Sequence, residues 1–285
     1  MRSGSDSFPA DSRNAFERVF RAAFQSLPRG TLYSLLLLSA FVNANFFEVT
    51  EHVAEKGLVS ALLSGGAINP ILLFAALWAA WRLARIEIAP LSPRWGDWAI
   101  VAIVIALIYV PMTWFSWIAV TVVGVRVMRS SKQLGGLIAY MAVPGFWGLI
   151  PVKLIGAPIL VADAFVVSLA AGYPVNGNTI IPTGAENTVT ILWGCSSVHG
   201  ISYMVLAWLV LASINRVRPF ANWPLLLVGL AGVVLINWTR LFFMVRYEDL
   251  FDYLHSGTGS QYVAMATLVW MVTLPILASS RRVAA

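Results

Sequence analysis

Three side chains suited to nucleophilic and acid–base chemistry stand at the ends of consecutive apolar runs. Cys195, the single cysteine of this 285-residue chain, opens one run in Trp193-Gly-Cys-Ser-Ser-Val-His-Gly200. Arg240 closes the next in Asn237-Trp-Thr-Arg240, and His255 precedes the last in His255-Ser-Gly-Thr-Gly259. A thiolate is a strong nucleophile, and the unpaired N–H groups of a helix N-terminus favour it over the thiol. An imidazole can take the thiol proton and later protonate a leaving amine. A guanidinium can stabilise the oxyanion of an acyl-transfer intermediate. Asn237, one turn before Arg240, shares its helix face and can orient Arg240 or His255. Ser196 follows the thiol directly. His199, four residues past Cys195 on the same face, competes with His255 as base, although it lies about 6 Å deeper at roughly 1.5 Å per residue.

Each residue also has a plainer role. A lone cysteine in an apolar chain packs as a small hydrophobe, an arginine at a helix end can snorkel to headgroups, and His255 can be a loop histidine. One cysteine excludes an intrachain disulfide and the multi-cysteine zinc sites, and neither a metal nor a cofactor is expected. His52, among Glu48, Glu51 and Glu55, reads as a solvated charge. Glu248, Asp249 and Asp252 on the approach to His255 read as a wet acidic loop.

The elements that would position these groups are membrane spans. The chain is 59% hydrophobic and 11% charged, with a mean hydropathy of +0.78. Soluble domains run at about 45–50% apolar and about 25% charged residues, so the main solvent of this chain is lipid. Apolar runs at 32–47, 68–84, 98–110, 112–128, 134–151, 198–214, 224–244 and 262–279 predict eight spans. The third and fourth meet at Pro111 in a tight helical hairpin. The stretch 155–171, with Pro158 and Asp163, is expected to be a re-entrant or interfacial helix.

Charge fixes the sidedness. With eight spans and both termini inside, the cytoplasmic segments hold Arg2, Arg13, Arg18, Arg21, Arg29, Arg82, Arg85, Arg94, Arg126, Arg129, Lys132, Arg216, Arg218, Arg281 and Arg282. The outer side keeps only Lys56, Lys153, Arg240 and Arg246. That asymmetry is the positive-inside pattern, and a ninth span at 155–171 would reverse it for the later loops. The net charge of +6 is dispersed in the same way, which argues against a nucleic-acid partner.

The predicted architecture is thus all-α and polytopic. A cytoplasmic tail spans 1–30, with an amphipathic helix built on Phe16, Val19, Phe20, Ala23, Phe24 and Leu27. A transmembrane catalytic domain spans 31–285, with an outer insert at 152–197. Asn176-Gly177 and Thr183-Gly184 are turn formers between β-favouring residues, so the insert is expected to carry a small β-structure ending just before Cys195.

Taken together, these residues resemble the exosortase/archaeosortase family of polytopic membrane cysteine transpeptidases. The likeness runs from about 155 to 260. It is carried by the interfacial helix, Gly172-Tyr-Pro-Val175, Gly177-Asn-Thr-Ile-Ile-Pro-Thr-Gly184, Cys195-Ser196, Asn237-Trp-Thr-Arg240 and His255. The chain departs from the family pattern at Trp193 and Gly194, where an acidic residue and Ala are usual, and at Ser197 in place of Gly. The resemblance implies a Cys195, Arg240, His255 catalytic triad facing the outside of the cell (inner) membrane. It also implies a cysteine protease/transpeptidase for C-terminal sorting signals of the PEP-CTERM type, with a lipid or glycan as candidate acceptor. The competing expectation is a non-catalytic assembly or export factor for surface polysaccharide. A transporter has less support, because the spans lack paired, Gly/Pro-broken midplane helices.

Overall fold

In a computed structural model, residues 27–56, 69–86, 88, 93–182 and 188–283 are described. The N-terminal amphipathic helix and the Thr183-Gly184 turn lie outside them. Every apolar run has become helical. The order is α1 (Arg29–Lys56), α2 (Pro70–Arg85), α3 (Trp95–Tyr109), α4 (Thr113–Met128), α5 (Lys132–Ala142) and α6 (Leu149–Ala171). Three short strands follow, β1 (Val175–Asn176), β2 (Thr179–Ile180) and β3 (Val189–Thr190), then α7 (Ser197–Ile214), α8 (Trp223–Arg246), α9 (Phe251–His255) and α10 (Thr258–Val283).

Local signals account for the boundaries. Asn69 caps α2 by accepting from the Ile71 N–H, with Pro70 in the first turn and Arg82 and Arg85 in the last. Ser131 caps α5 in the same way through the Leu134 N–H. Gly172 ends α6 in the left-handed region at φ 73°, the conformation glycine tolerates best. Four helical stretches are long and apolar enough to cross a membrane: Arg29–Glu51, Ser197–Ile214, Trp223–Arg246 and Thr258–Ala278. Trp95–Tyr109, Thr113–Met128 and Pro158–Ala171 are apolar but shorter.

The expected span at 134–151 and the separate helix at 155–171 meet differently from the sequence reading. A π-helical turn at Val143–Trp147 follows α5, and α6 then runs unbroken from Leu149 through Pro158. The turn sits at Pro144, which lacks the N–H an α-helix needs there. Gly145 lets it approach α4, since a Cβ there would lie 2.5 Å from the Trp117 ring.

The larger core joins α1, α2, α4 and α5 to α7, and includes Tyr33, Leu37, Leu83, Val123, Leu137, Met141, Met204 and Leu206. Small residues let α4 and α5 touch backbone to backbone: a Cβ on Gly135 would fall 2.3 Å from the Met128 nitrogen and 2.6 Å from the Gly124 carbonyl oxygen. Close packing of this kind supplies association energy where lipid tails are as apolar as leucine. At one end of this bundle Asp97 is fully buried. It accepts hydrogen bonds from Arg29 Nη2 at 2.9 Å, Arg126 Nη2 at 2.6 Å, the Arg94 backbone N–H at 2.8 Å and the Tyr33 hydroxyl.

A second, smaller core lies at the other end of the chain's fold. Ala164 and Val167 of α6, Ile180, Ile191, and Leu241, Met244 and Val245 of α8 form it, with Cys195 packed against its edge. The three strands pair antiparallel in the order β1-β2-β3, with Val175 opposite Ile180 and Thr179 opposite Thr190. The hairpin loop is Gly177-Asn178, one residue later than the Asn176-Gly177 turn expected, because Asn176 pairs with Thr179. Gly177 takes φ 59° there, and glycine at the first of two loop residues suits the right-handed twist of a hairpin.

Replacing Asp97 by Ala should leave Arg29 and Arg126 without their shared anion. A loss of about 3–5 kcal/mol is expected from breaking a buried ion pair on one side. Thermal unfolding of the detergent-solubilised chain would report it, and an unchanged midpoint would refute the role.

Candidate active site

The small core delivers Cys195 to the start of α7. After β3 the backbone enters a 3₁₀ turn at Trp193–Cys195, closed by the Cys195 N–H to the Leu192 carbonyl at 3.0 Å. Ser196 is the N-cap of α7, in extended conformation at φ −75° and ψ 148°, and accepts from the Val198 N–H. Cys195 therefore stands just outside the helix, half-buried and with a free thiol.

Asp163, on α6, holds this junction in place. Its Oδ2 accepts from the Ser196 hydroxyl and the Ser197 backbone N–H, each at 2.9 Å. Its Oδ1 accepts from the Ser197 hydroxyl at 3.0 Å and from Trp238 Nε1 at 2.7 Å. Asp163, Ser196 and Ser197 are all nearly sealed from solvent, at 4%, 3% and 4% exposure, so these bonds act in a low-dielectric setting that strengthens them.

From the other side α8 reaches the same segment. Asn237 Nδ2 donates to the Cys195 carbonyl at 2.8 Å and to the Ser197 hydroxyl oxygen at 3.2 Å. Asn237 thus orients the backbone of the thiol residue, a partner different from the Arg240 or His255 contact anticipated. Arg240 follows one turn later, about 4.5 Å along the helix axis at roughly 1.5 Å per residue. Its positive charge acts on Cys195 and on His199. Among the described residues, Arg240 Nε is buried with no hydrogen-bond partner.

These groups border one cavity of about 390 Å³. Ser196, Ser197, His199, Tyr203, Asn237 and Arg240 supply polar groups from α7 and α8, Ser260, Gln261 and Thr267 add more from α10, and Gly200, Val233, Leu268 and Met271 line the rest. Asn69, Pro70 and Ile71 at the start of α2 close one side. The His199 and Tyr203 rings meet edge-on, 5.0 Å apart at 75°. Glu48 of α1 lies within electrostatic range of Tyr203.

The two imidazoles are placed differently. His199 is on the cavity wall with Arg240. His255 is exposed at the end of α9 and stacks on Phe251, with ring centres 5.2 Å apart at 14°. Its neighbours Phe251 and Leu254 pack against the small core that also holds Cys195. Ser196, Asn237, Arg240 and His199 therefore share the cavity wall, Cys195 is tied to them through its carbonyl and Asn237, and His255 stands on an adjoining element.

One expectation is corrected. The N-terminus of α7 does not turn free N–H groups towards the thiol, because the Ser197 N–H is taken by Asp163 and the Val198 N–H by the Ser196 hydroxyl. The charge that acts on Cys195 is that of Arg240. The sequence reading passed over Asp163 and Trp238 as site residues. A lone carboxylate in an apolar, membrane-level segment was the available signal, since such a residue is functional by default.

The described residues contain no group of three or more His, Cys, Asp or Glu arranged to hold a metal ion. Compared with known proteins, the chain matches no family model, no curated protein and no solved structure.

If Arg240 supports the Cys195 anion, Arg240→Met should slow alkylation of this single cysteine by iodoacetamide at neutral pH by about tenfold, the effect of losing roughly 1.4 kcal/mol of favourable charge interaction. An undiminished rate would exclude that support.

Proposed function

We propose that this chain is an exosortase-like membrane cysteine protease/transpeptidase that processes C-terminal sorting signals of exported proteins. The observation that carries the reading is a polar-walled cavity lined by Asn237, Arg240 and the two chain neighbours of Cys195, Gly194 and Ser196, with the Cys195 carbonyl held by Asn237 and its side chain within the electrostatic reach of Arg240. A nucleophile, a cation with an unsatisfied donor, and an imidazole are what acyl transfer from a peptide requires.

In this reading the scissile carbonyl carbon enters the cavity beside Cys195. The sulfur attacks it while an imidazole takes the thiol proton, and Arg240 donates to the oxyanion of the tetrahedral intermediate. Collapse breaks the C–N bond. The leaving amine takes the proton back, and the substrate acyl group remains as a thioester on Cys195. An acceptor amine or hydroxyl, of lipid or glycan origin, then displaces the sulfur and completes the transfer. The imidazole is His255 by resemblance, and His199 by its place on the cavity wall.

The reading places eight spans in the cell membrane, both termini inside, and the site on the outer face. The arginine-rich segments support that sidedness. The substrate's tail helix would reach the cavity from the lipid, along α10.

A second reading keeps the chain as a non-catalytic assembly or export factor for surface polysaccharide. The packing of Cys195 against the small core favours it, since a structural cysteine is inert. The two differ in the response to a membrane-impermeant thiol reagent, which labels an outward-facing nucleophile quickly and a structural thiol slowly.

Cys195→Ala should insert and accumulate normally while abolishing cleavage of a tail-bearing substrate, read as a mass shift in cells. Normal processing by that variant would end the proposal. His255→Ala and His199→Ala separate the two bases: the true base should cost about 10²–10⁴-fold in turnover, and the other far less.

A further inference from the structure

We propose that Asp163 is the positioning residue of Cys195, acting through hydrogen-bond geometry that only a carboxylate supplies. This role rests on the cysteine-peptidase reading. Each carboxylate oxygen receives two donors, and in each pair one donor can never accept. On Oδ2 that donor is the Ser197 backbone N–H, and on Oδ1 it is Trp238 Nε1–H. The remaining two partners are the Ser196 and Ser197 hydroxyls, which can reverse direction.

An amide at this position therefore fails in either orientation. Its NH2 must face the Ser197 N–H or the indole N–H, and two donors then confront each other in a nearly sealed pocket. The conflict is relieved only by moving α6, α7 or α8 apart. Cys195 is bonded into the same junction, through its carbonyl to Asn237 beside Trp238 and through the chain to Ser196. Displacement of the junction thus displaces the sulfur relative to Arg240.

Removing the indole donor removes the conflict. With phenylalanine at 238, an asparagine at 163 can turn its oxygen to the Ser197 N–H and the Ser196 hydroxyl. Its NH2 can then donate to the Ser197 hydroxyl. The junction closes again without any negative charge. Geometry and charge are separated by this pair of substitutions.

The single cysteine makes the test direct, because alkylation of the full chain in detergent reports Cys195 alone. Asp163→Asn should slow alkylation by iodoacetamide about tenfold and lower the kcat of tail processing with little change in KM, given that an ångström of misplacement can cost about 10²-fold. Trp238→Phe, which loses one of four donors, should slow both by no more than about threefold. The double variant Asp163→Asn/Trp238→Phe should return both rates to within about threefold of the original chain.

A double variant as slow as Asp163→Asn would show that charge, not geometry, is what the residue supplies, and would overturn the proposal. Equal rates in all four chains would overturn it as well. If Asp163→Asn fails to accumulate, recovery of accumulation and alkylation in the double variant carries the same weight. Alkylation in the expected order without any tail processing would retain the positioning role and remove the peptidase reading.

Discussion

A buried carboxylate that must be satisfied governs the arrangement of the whole candidate site. Taking a charge out of water is expensive unless it is fully hydrogen-bonded, so Asp163 can sit at 4% exposure only with its donors assembled. Those donors come from the start of α7 and from Trp238 on α8, while Asp163 itself belongs to α6. The start of α7 and the bodies of α6 and α8 are thereby fixed against one another. Cys195, one residue before Ser196, inherits its place from this junction, and Asn237 and Arg240 inherit theirs from α8.

The cavity beside that junction has unequal walls. α7 is half enclosed by protein, with 44% of its most apolar stretch buried, whereas α10 has only 22%. Polar groups reach it from all three helices: His199 and Tyr203 on α7, Asn237 and Arg240 on α8, and Ser260, Gln261 and Thr267 on α10. Its α7 side is thus the most firmly held, and its α8 and α10 sides belong to helices only 28% and 22% buried over their most apolar stretches.

Much of the fold was legible because long apolar runs have few solutions in lipid. Each of the eight runs became helix, and the β-favouring residues after Gly172 became a three-stranded sheet. What escaped was tertiary. The π-helical turn at Val143–Trp147 merges two expected helices into a bent continuation, and nothing in the local periodicity marks it. The register of the hairpin moved by one residue because Asn176 pairs across to Thr179. At the site, Asn237 stood out in the sequence by sharing a helix face with Arg240, and its partner proved to be the Cys195 carbonyl. The roles of Asp163 and Trp238 depended on partners 33 to 75 residues away, beyond the reach of any spacing rule. The free helix N-terminus expected at Cys195 failed for the same reason.

The buried Asp97 cluster has a consequence for how the chain is made. Its two arginine partners lie 68 residues before it and 29 residues after it. During synthesis Arg29 and Tyr33 are available when α3 is inserted, but Arg126 arrives only once α4 has been translated. A buried carboxylate with part of its partners missing is held poorly, so the packing at the start of α3 is completed only as α4 folds back along it. The tight turn at Val110–Met112 then couples the two helices in time as well as in space. The buried charge thereby makes α3 and α4 a structural pair.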